Sequence, residues 1–206
     1  MKIKFDSFLN GKFVDLIILN KKISKYTDWY SWFNYKANTD YLEVGKFPNT
    51  VDDQIMYLKN SIEQKKIILS NDKISKKLQL GIKQKSTNKL IGMVAAYNFN
   101  YFNRTCYVSC IIDQRKKMSN QLSLFKESQD LLFDHLFFKI NLRKIYTGAI
   151  SKELSLISEK LWGFKKEGRL KKNAFVNGKY LDSFILGLFR ENWKLKSKYY
   201  QDKFDC

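Results

Sequence analysis

Few residues of this chain are of the types that hold metals or act as nucleophiles. There are three cysteines, Cys106, Cys110 and Cys206, and one histidine, His135. If Cys106 and Cys110 share a strand, a rise of about 3.3 Å per residue sets them roughly 13 Å apart. A disulfide needs Cα atoms within about 7 Å, so that pair is excluded there. One histidine with these thiols is too little for a zinc site, and no metal is expected. The cysteines read as small buried thiols and His135 as a core residue on the apolar face of a helix. Charge is the stronger signal. Lys and Arg number 38 against 20 Asp and Glu, a net charge of +18. Such a balance favours an anionic partner. Nearly all of it is Lys; the arginines are Arg104, Arg115, Arg143, Arg169 and Arg190. Arg is the side chain that grips phosphate bidentately, and a nucleic-acid surface is built from stripes of it. Nucleic acid is therefore disfavoured, and a phosphate-bearing small molecule is the better use of the charge. Codon bias toward Lys, Asn and Ile is a competing source of the same excess. Tyr26, Trp29, Trp32, Phe33, Asn34 and Tyr41 form an aromatic-rich stretch. It suits a sugar ring or a base, or equally the packing of a helix on a sheet.

These residues need elements to position them. Val14–Asn20 reads as a strand after an Asn10-Gly11 turn. Ser24 or Thr27 caps a helix through Trp29, Trp32 and Phe33. Thr50-Val-Asp-Asp53 has the shape of a capping box, and Val51, Ile55, Leu58 and Ile62 follow at helical spacing. Lys77–Gln84, Lys89–Phe99 and Thr105–Asp113 read as three strands. Ser123–Ile140 is helical, Lys144–Ile150 a strand, and Ser151 or Ser155 opens a helix that Gly163 ends. Lys165–Val176 and Lys179–Phe189 are joined by Asn177-Gly178, a strong hairpin signal. The order β-α-α-β-β-β-α-β-α-β-β predicts a mixed α/β (α+β) fold with a mostly antiparallel sheet. It fits one domain over 1–193 with a Lys-rich tail over 194–206. No apolar run approaches the roughly 20 residues of a membrane span, and a cytoplasmic location is the expectation.

Several motifs then fall in a shared order. They are Tyr30-Ser-Trp-Phe-Asn34; Phe47-Pro48 with Thr50; Lys89-Leu-Ile-Gly-Met93; Ile111-Ile112-Asp113; Trp162-Gly163-Phe164 with Glu167-Gly168; and Gly178-Lys-Tyr-Leu-Asp182 with Trp193. In order and spacing the chain resembles the GNAT (GCN5-related) N-acetyltransferase superfamily. More narrowly, it resembles the branch of ribosomal-protein N-terminal and polysaccharide amino-sugar acetyltransferases. The resemblance implies acyl transfer from acetyl-CoA, as co-substrate, to a primary amine. The pantetheine arm would lie along the strand edge at Cys110, Ile111 and Ile112, where two strands splay apart. The pyrophosphate would sit in the loop before the Ser123 helix. That loop, Gln114-Arg-Lys-Lys-Met-Ser-Asn-Gln-Leu-Ser123, has no glycine where the family's reads Q/R-x-x-G-x-G/A. Arg115, Lys116, Lys117, Ser119, Asn120 and Ser123 are then the groups left to hold phosphate, with Lys152 at the family's Asn position. The family's acidic Tyr falls on Glu159. Asp113, Tyr107, Ser109 and Tyr146 remain as catalytic candidates, and Trp32, Asn34, Tyr41 and Asp182 as acceptor contacts. The expected partner is a small amine, foremost a nucleotide-linked amino sugar of surface polysaccharide synthesis, with a homodimer left open. The alternatives are a protein N-terminal acetyltransferase, or a GNAT-fold binding protein without catalysis.

Overall fold

The computed structural model describes residues 4–40, 42, 45–63, 67–69, 72–74, 77–115 and 121–196. Eight strands form one sheet: β1 (Ser7–Asn10), β2 (Val14–Ile18), β5 (Lys77–Gln84), β6 (Lys89–Asn100), β7 (Thr105–Ile112), β8 (Lys144–Ala149), β9 (Lys165–Val176) and β10 (Lys179–Phe189). Their order is β1-β2-β5-β6-β7-β8-β10-β9, and a separate hairpin joins β3 (Ile67–Leu69) to β4 (Asp72–Ile74). Each neighbouring pair in the large sheet is antiparallel except β7 and β8, which run parallel. The mixed, mostly antiparallel sheet matches the expectation from the sequence. Strands β1, β3 and β4 were not expected.

Helices lie on both faces. On one, α4 (Gln121–Asp134), continued by a π turn over His135–Lys139, and α5 (Lys152–Trp162) cover the main core. Leu124, Leu131, Leu132 and Leu136 of this segment meet Val14, Ile82, Val94, Cys106 and Val108 of the sheet. Two buried carboxylates pin it to the rest of the chain. Asp130 accepts the indole N–H of Trp162 at 2.9 Å, and Asp134 accepts that of Trp193 at 2.7 Å. Indoles bury large apolar area yet still need a partner for the N–H, and these bonds supply it. Leu195 packs on the same core and Lys196 N donates to Asp134. Packing around Asp134 thus includes Leu195 and Lys196; the rest of the tail lies outside the described residues.

On the other face, α1 (Lys21–Tyr26), a 3-10 turn (Trp29–Asn34), α2 (Lys36–Thr39) and α3 (Val51–Glu63) form a second core. Ile17, Leu19, Ile23, Trp29, Trp32, Leu58 and Leu90 cluster there. The cap of α1 is Asn20, whose side chain accepts Ile23 N, and not Ser24 or Thr27. Ser24 is buried inside the helix, and Thr27 ends it. At the start of α3 the capping box forms as expected. Asp53 N donates to Thr50 Oγ1, while the Asp53 carboxylate accepts Thr50 N and Oγ1. Those bonds hold the Asp53 carboxyl below its usual pKa. Gly163 (φ 81°) ends α5, and Asn177 and Gly178 (φ 47° and 81°) make the hairpin turn, both in the left-handed conformations the sequence calls for.

Candidate functional site

The parallel pair β7–β8 is where the sheet opens. The strands pair only at Thr105–Lys144, Cys106–Ile145 and Tyr107–Tyr146. Beyond Tyr107 no strand of the described residues joins that edge of β7, although its other edge stays paired with β6 as far as Ile112. Asp113 N donates to Ile91 O at 2.9 Å, which turns the backbone groups of odd-numbered residues toward β6. Strand alternation then turns those of Val108, Cys110 and Ile112 toward the gap. Thr147 Oγ1, reaching across from β8 to Val108 O at 3.3 Å, agrees with this. A backbone edge with free polar groups is a template for an extended amide-bearing ligand. Of the three residues expected at this edge, Cys110 and Ile112 present their backbone to the gap. Ile111 does not; it pairs with Met93.

Side chains alternate between the two faces. Cys106, Val108 and Cys110 point to α4, and Cys110 bonds Ser128 there. Burial pushes both thiols up to about 12, so neither is a ready nucleophile. Tyr107 and Ser109 occupy the opposite face, where Tyr107 is half-buried and Ser109 exposed. Tyr97, Tyr107 and Tyr146 form a stacked row across β6, β7 and β8, with ring centroids 6.0 and 5.3 Å apart. Beside Tyr146, Lys144 lies on its ring at 4.6 Å and bonds Glu167 at 2.7 Å. Gly187 stands opposite Tyr146 on β10, and a Cβ there would meet Glu167 and Lys144. Glycine thus leaves the room that this ion pair fills. The structure therefore brings Tyr107, Ser109 and Tyr146 together at the apex of the gap.

Asp113 and Arg115 take different parts from those expected. The Arg115 guanidinium folds back on the Asp113 carboxylate through Nε and Nη2, both at 2.8 Å. It also reaches Asp28 at 2.8 Å and Ser31 Oγ at 2.7 Å. Asn38 completes the lock, donating to Asp113 at 3.2 Å and accepting Gln114 N at 2.8 Å. Burial alone pushes the Asp113 carboxyl up, but the bonds from Arg115 and Asn38 and the Arg115 charge outweigh it and hold the pKa below the usual value. A carboxylate so stabilised is a weak base, and a guanidinium so engaged has little left for phosphate. Their role is to tie the end of β7 to the first helical region.

Trp32 and Asn34, two of the acceptor contacts expected from the first helical region, make packing and backbone contacts within the fold. Trp32 is fully buried in the second core. Asn34 exchanges two 2.7 Å bonds with the backbone of Asn49 and so clasps the turn to the approach of α3. Asp182 accepts Lys172 N at 2.8 Å and Arg169 Nε at 2.6 Å, bracing the bulge between β9 and β10. His135 is buried against Phe8, and burial with the nearby Lys139 lowers its pKa to about 4. Glu159 accepts the Ser155 hydroxyl at 2.8 Å within α5. Ser123 and Lys152 are exposed in the first turns of α4 and α5. Lys116, Lys117, Ser119, Asn120 and Tyr41 lie outside the described residues. The described residues contain no group of metal-binding side chains and no helix long and apolar enough to cross a membrane.

No family model matches the chain. It is 27% identical over 131 residues to the probable N-acetyltransferase YjcK of Bacillus subtilis, covering 61% of this chain and 70% of that protein. Among solved structures it is similar to the ribosomal-protein-S5-alanine acetyltransferase of Vibrio fischeri. The TM-score is 0.71 at 19% identity, over 91% of this chain and 98% of that one. It is also similar to the microcin C7 self-immunity acetyltransferase MccE, solved with acetyl-CoA and AMP. There the TM-score is 0.68 at 19% identity, over 87% and 93% of the two chains.

Proposed function

We propose that this chain, which shares the fold of the acetyltransferases it is similar to, is an N-acetyltransferase of the GNAT type that uses acetyl-CoA to acylate a small primary amine. The observation that carries this reading is the divergence of β7 and β8 after Tyr107 and Tyr146. The gap exposes the backbone of Cys110 and Ile112 on one strand and leads to the N-terminus of α4. Pantetheine amides suit that edge, and the first-turn N–H groups of α4 suit the pyrophosphate. Ser123 and Lys152 flank the same end. Arg115 is committed to Asp113, so phosphate binding falls to helix-end N–H groups and to Lys116 and Lys117. Loop glycines are then not essential, because charge takes over part of what a close backbone approach supplies.

The chemistry follows from the apex. The neutral amine attacks the thioester carbon, and its nitrogen loses a proton to solvent-connected water on the open face. The C–S bond breaks, and the departing thiolate takes a proton. We assign that proton to the O–H of Tyr107 or Tyr146, with the exposed Ser109 hydroxyl on the same face of β7. Holding both substrates at one gap supplies the proximity part of the rate. The acceptor we favour is an amino sugar attached to a nucleotide; the net charge of +18 supports an anionic one. Calorimetric titration with acetyl-CoA and CoA tests the reading. Affinity of about micromolar order is expected, and silence up to about millimolar would sink it.

A further inference from the structure

The five arginines divide into two groups. Arg115 lies on Asp113 and Asp28, and Arg169 on Asp182. The other three come together at the opposite end of β7 from α4. Arg143 N donates to Arg104 O at 2.7 Å, and Arg190 N donates to Arg143 O at 2.9 Å. This backbone row crosses the starts of β7 and β8 and the end of β10, and all three side chains are exposed. They border two adjoining spaces. The smaller, about 310 Å³, lies among Arg104, Arg143, Arg190, Phe138, Leu142 and Glu191. The larger, about 430 Å³, lies among Phe102, Asn103, Arg104, Thr105, Arg143 and Tyr146.

Arg190 is occupied, bonding Asn141 at 2.6 Å with its guanidinium over Phe138 at 5.3 Å. Arg143 rests on the Phe189 ring at 5.6 Å, which orients it without neutralising it. Among the described residues, neither Arg104 nor Arg143 has a carboxylate partner. No acidic side chain borders the larger space; Glu191 borders only the smaller. Two arginines without a carboxylate partner, both lining one polar recess, suit phosphate oxygens. The recess is also joined to the proposed chemistry. Tyr146 lines it and stacks on Tyr107 at the apex of the gap. A ligand anchored on Arg104 and Arg143 therefore extends along the open face toward that apex.

We propose that Arg104 and Arg143 form an anion site for the acceptor, and that the acceptor is a phosphate-bearing amine. The word acceptor rests on the acyl-transfer reading; the anion site does not. Pyrophosphate is titrated into the full chain by calorimetry, alone and with saturating CoA. Binding is expected to survive CoA and to weaken about tenfold in an R104Q/R143Q variant. That variant is expected to keep its acetyl-CoA affinity within about twofold, because the α4 end lies some 23 Å away along β7. Unchanged pyrophosphate affinity in the variant, or its complete displacement by CoA, overturns the anion site. An R104K/R143K variant keeps the charge and guards against a folding defect; a loss of about threefold is expected from the missing fork geometry. Turnover then tests the acceptor class, comparing glucosamine 6-phosphate with glucosamine. A KM about tenfold lower for the phosphorylated amine, with the advantage lost in R104Q/R143Q, is expected. Equal KM values for the two amines in the unaltered chain overturn the class. A chain that binds pyrophosphate through these arginines but never binds acetyl-CoA refutes the acyl-transfer reading and leaves the anion site standing.

Discussion

The two ends of β7 use the same scarce residue in opposite ways. At its C-terminal end Arg115 is neutralised by Asp113 and Asp28 and pinned further by Ser31. At its N-terminal end Arg104 and Arg143 face solvent with no carboxylate partner among the described residues. The difference is one of surroundings, not of sequence chemistry. Asp113 is almost fully buried, so its charge must be compensated, and a bidentate guanidinium with an amide from Asn38 does so. At the other end nothing buried demands a partner. One arginine is structural, and the other two remain available to a ligand.

The comparison breaks most visibly at the buried carboxylate. Asp113→Ala removes the buried carboxylate that Arg115 Nε and Nη2 and the Asn38 amide share, leaving Arg115 only Asp28 and Ser31 and Asn38 only Trp32 O as acceptors. A loss of about 2–3 kcal/mol is expected, or a fall in melting temperature of roughly 5–10 °C. A change under about 0.5 kcal/mol would mean the lock is ornamental. Asn38→Ala removes one bond to Asp113 and the acceptor for Gln114 N, and a loss of about 1–2 kcal/mol is expected by chemical denaturation. The same lock sets a pH dependence. The folded pKa of Asp113 lies below the unfolded value near 3.8, so its stabilisation is present above that value. It is lost as pH falls through the lower, folded pKa. The stability gap between the unaltered chain and Asp113→Asn should therefore be constant at neutral pH and close only below about pH 4. A gap that closes between pH 5 and 7 would point to a different titrating group.

What the sequence disclosed about these ends depended on range. The capping box at Thr50, the turn at Asn177-Gly178 and the stop at Gly163 are local, and each was legible because its chemistry is complete within a few residues. The mixed sheet and the divergence of its central strands were legible through the order of motifs. The lock was not. Arg115 adjoins Lys116 and Lys117 and reads as part of a phosphate-binding cluster; its partner Asp28 is 87 residues away. Strand β1 was hidden for a similar reason. Its turn into β2 is closed by the Glu127 carboxylate of α4, which accepts the backbone N–H of Phe13 at 2.7 Å and of Val14 at 2.9 Å. Trp32 and Asn34 carried the right types for a sugar site, and only burial and the Asn49 clasp show their structural use. The Arg104–Arg143–Arg190 row was equally invisible, since three residues scattered along the chain meet only through sheet register.

The smallest expected effect is the sharpest test of the contrast, because the two ends should respond with opposite sign. Arg115→Gln strips compensation from a buried carboxylate and should cost about 2 kcal/mol. The R104Q/R143Q pair removes two exposed cations that have no acidic partner among the described residues and sit in a chain of net charge +18. Two like charges roughly 10 Å apart in water repel by about 0.4 kcal/mol, so their removal should leave stability unchanged or raise it by up to about 0.5 kcal/mol. The gain should shrink as salt is added, since screening already weakens the repulsion. Melting curves at low and high ionic strength read both signs. If R104Q/R143Q instead melted well below the unaltered chain at every salt concentration, these arginines would be structural like Arg115, and the two ends of β7 would not differ as argued.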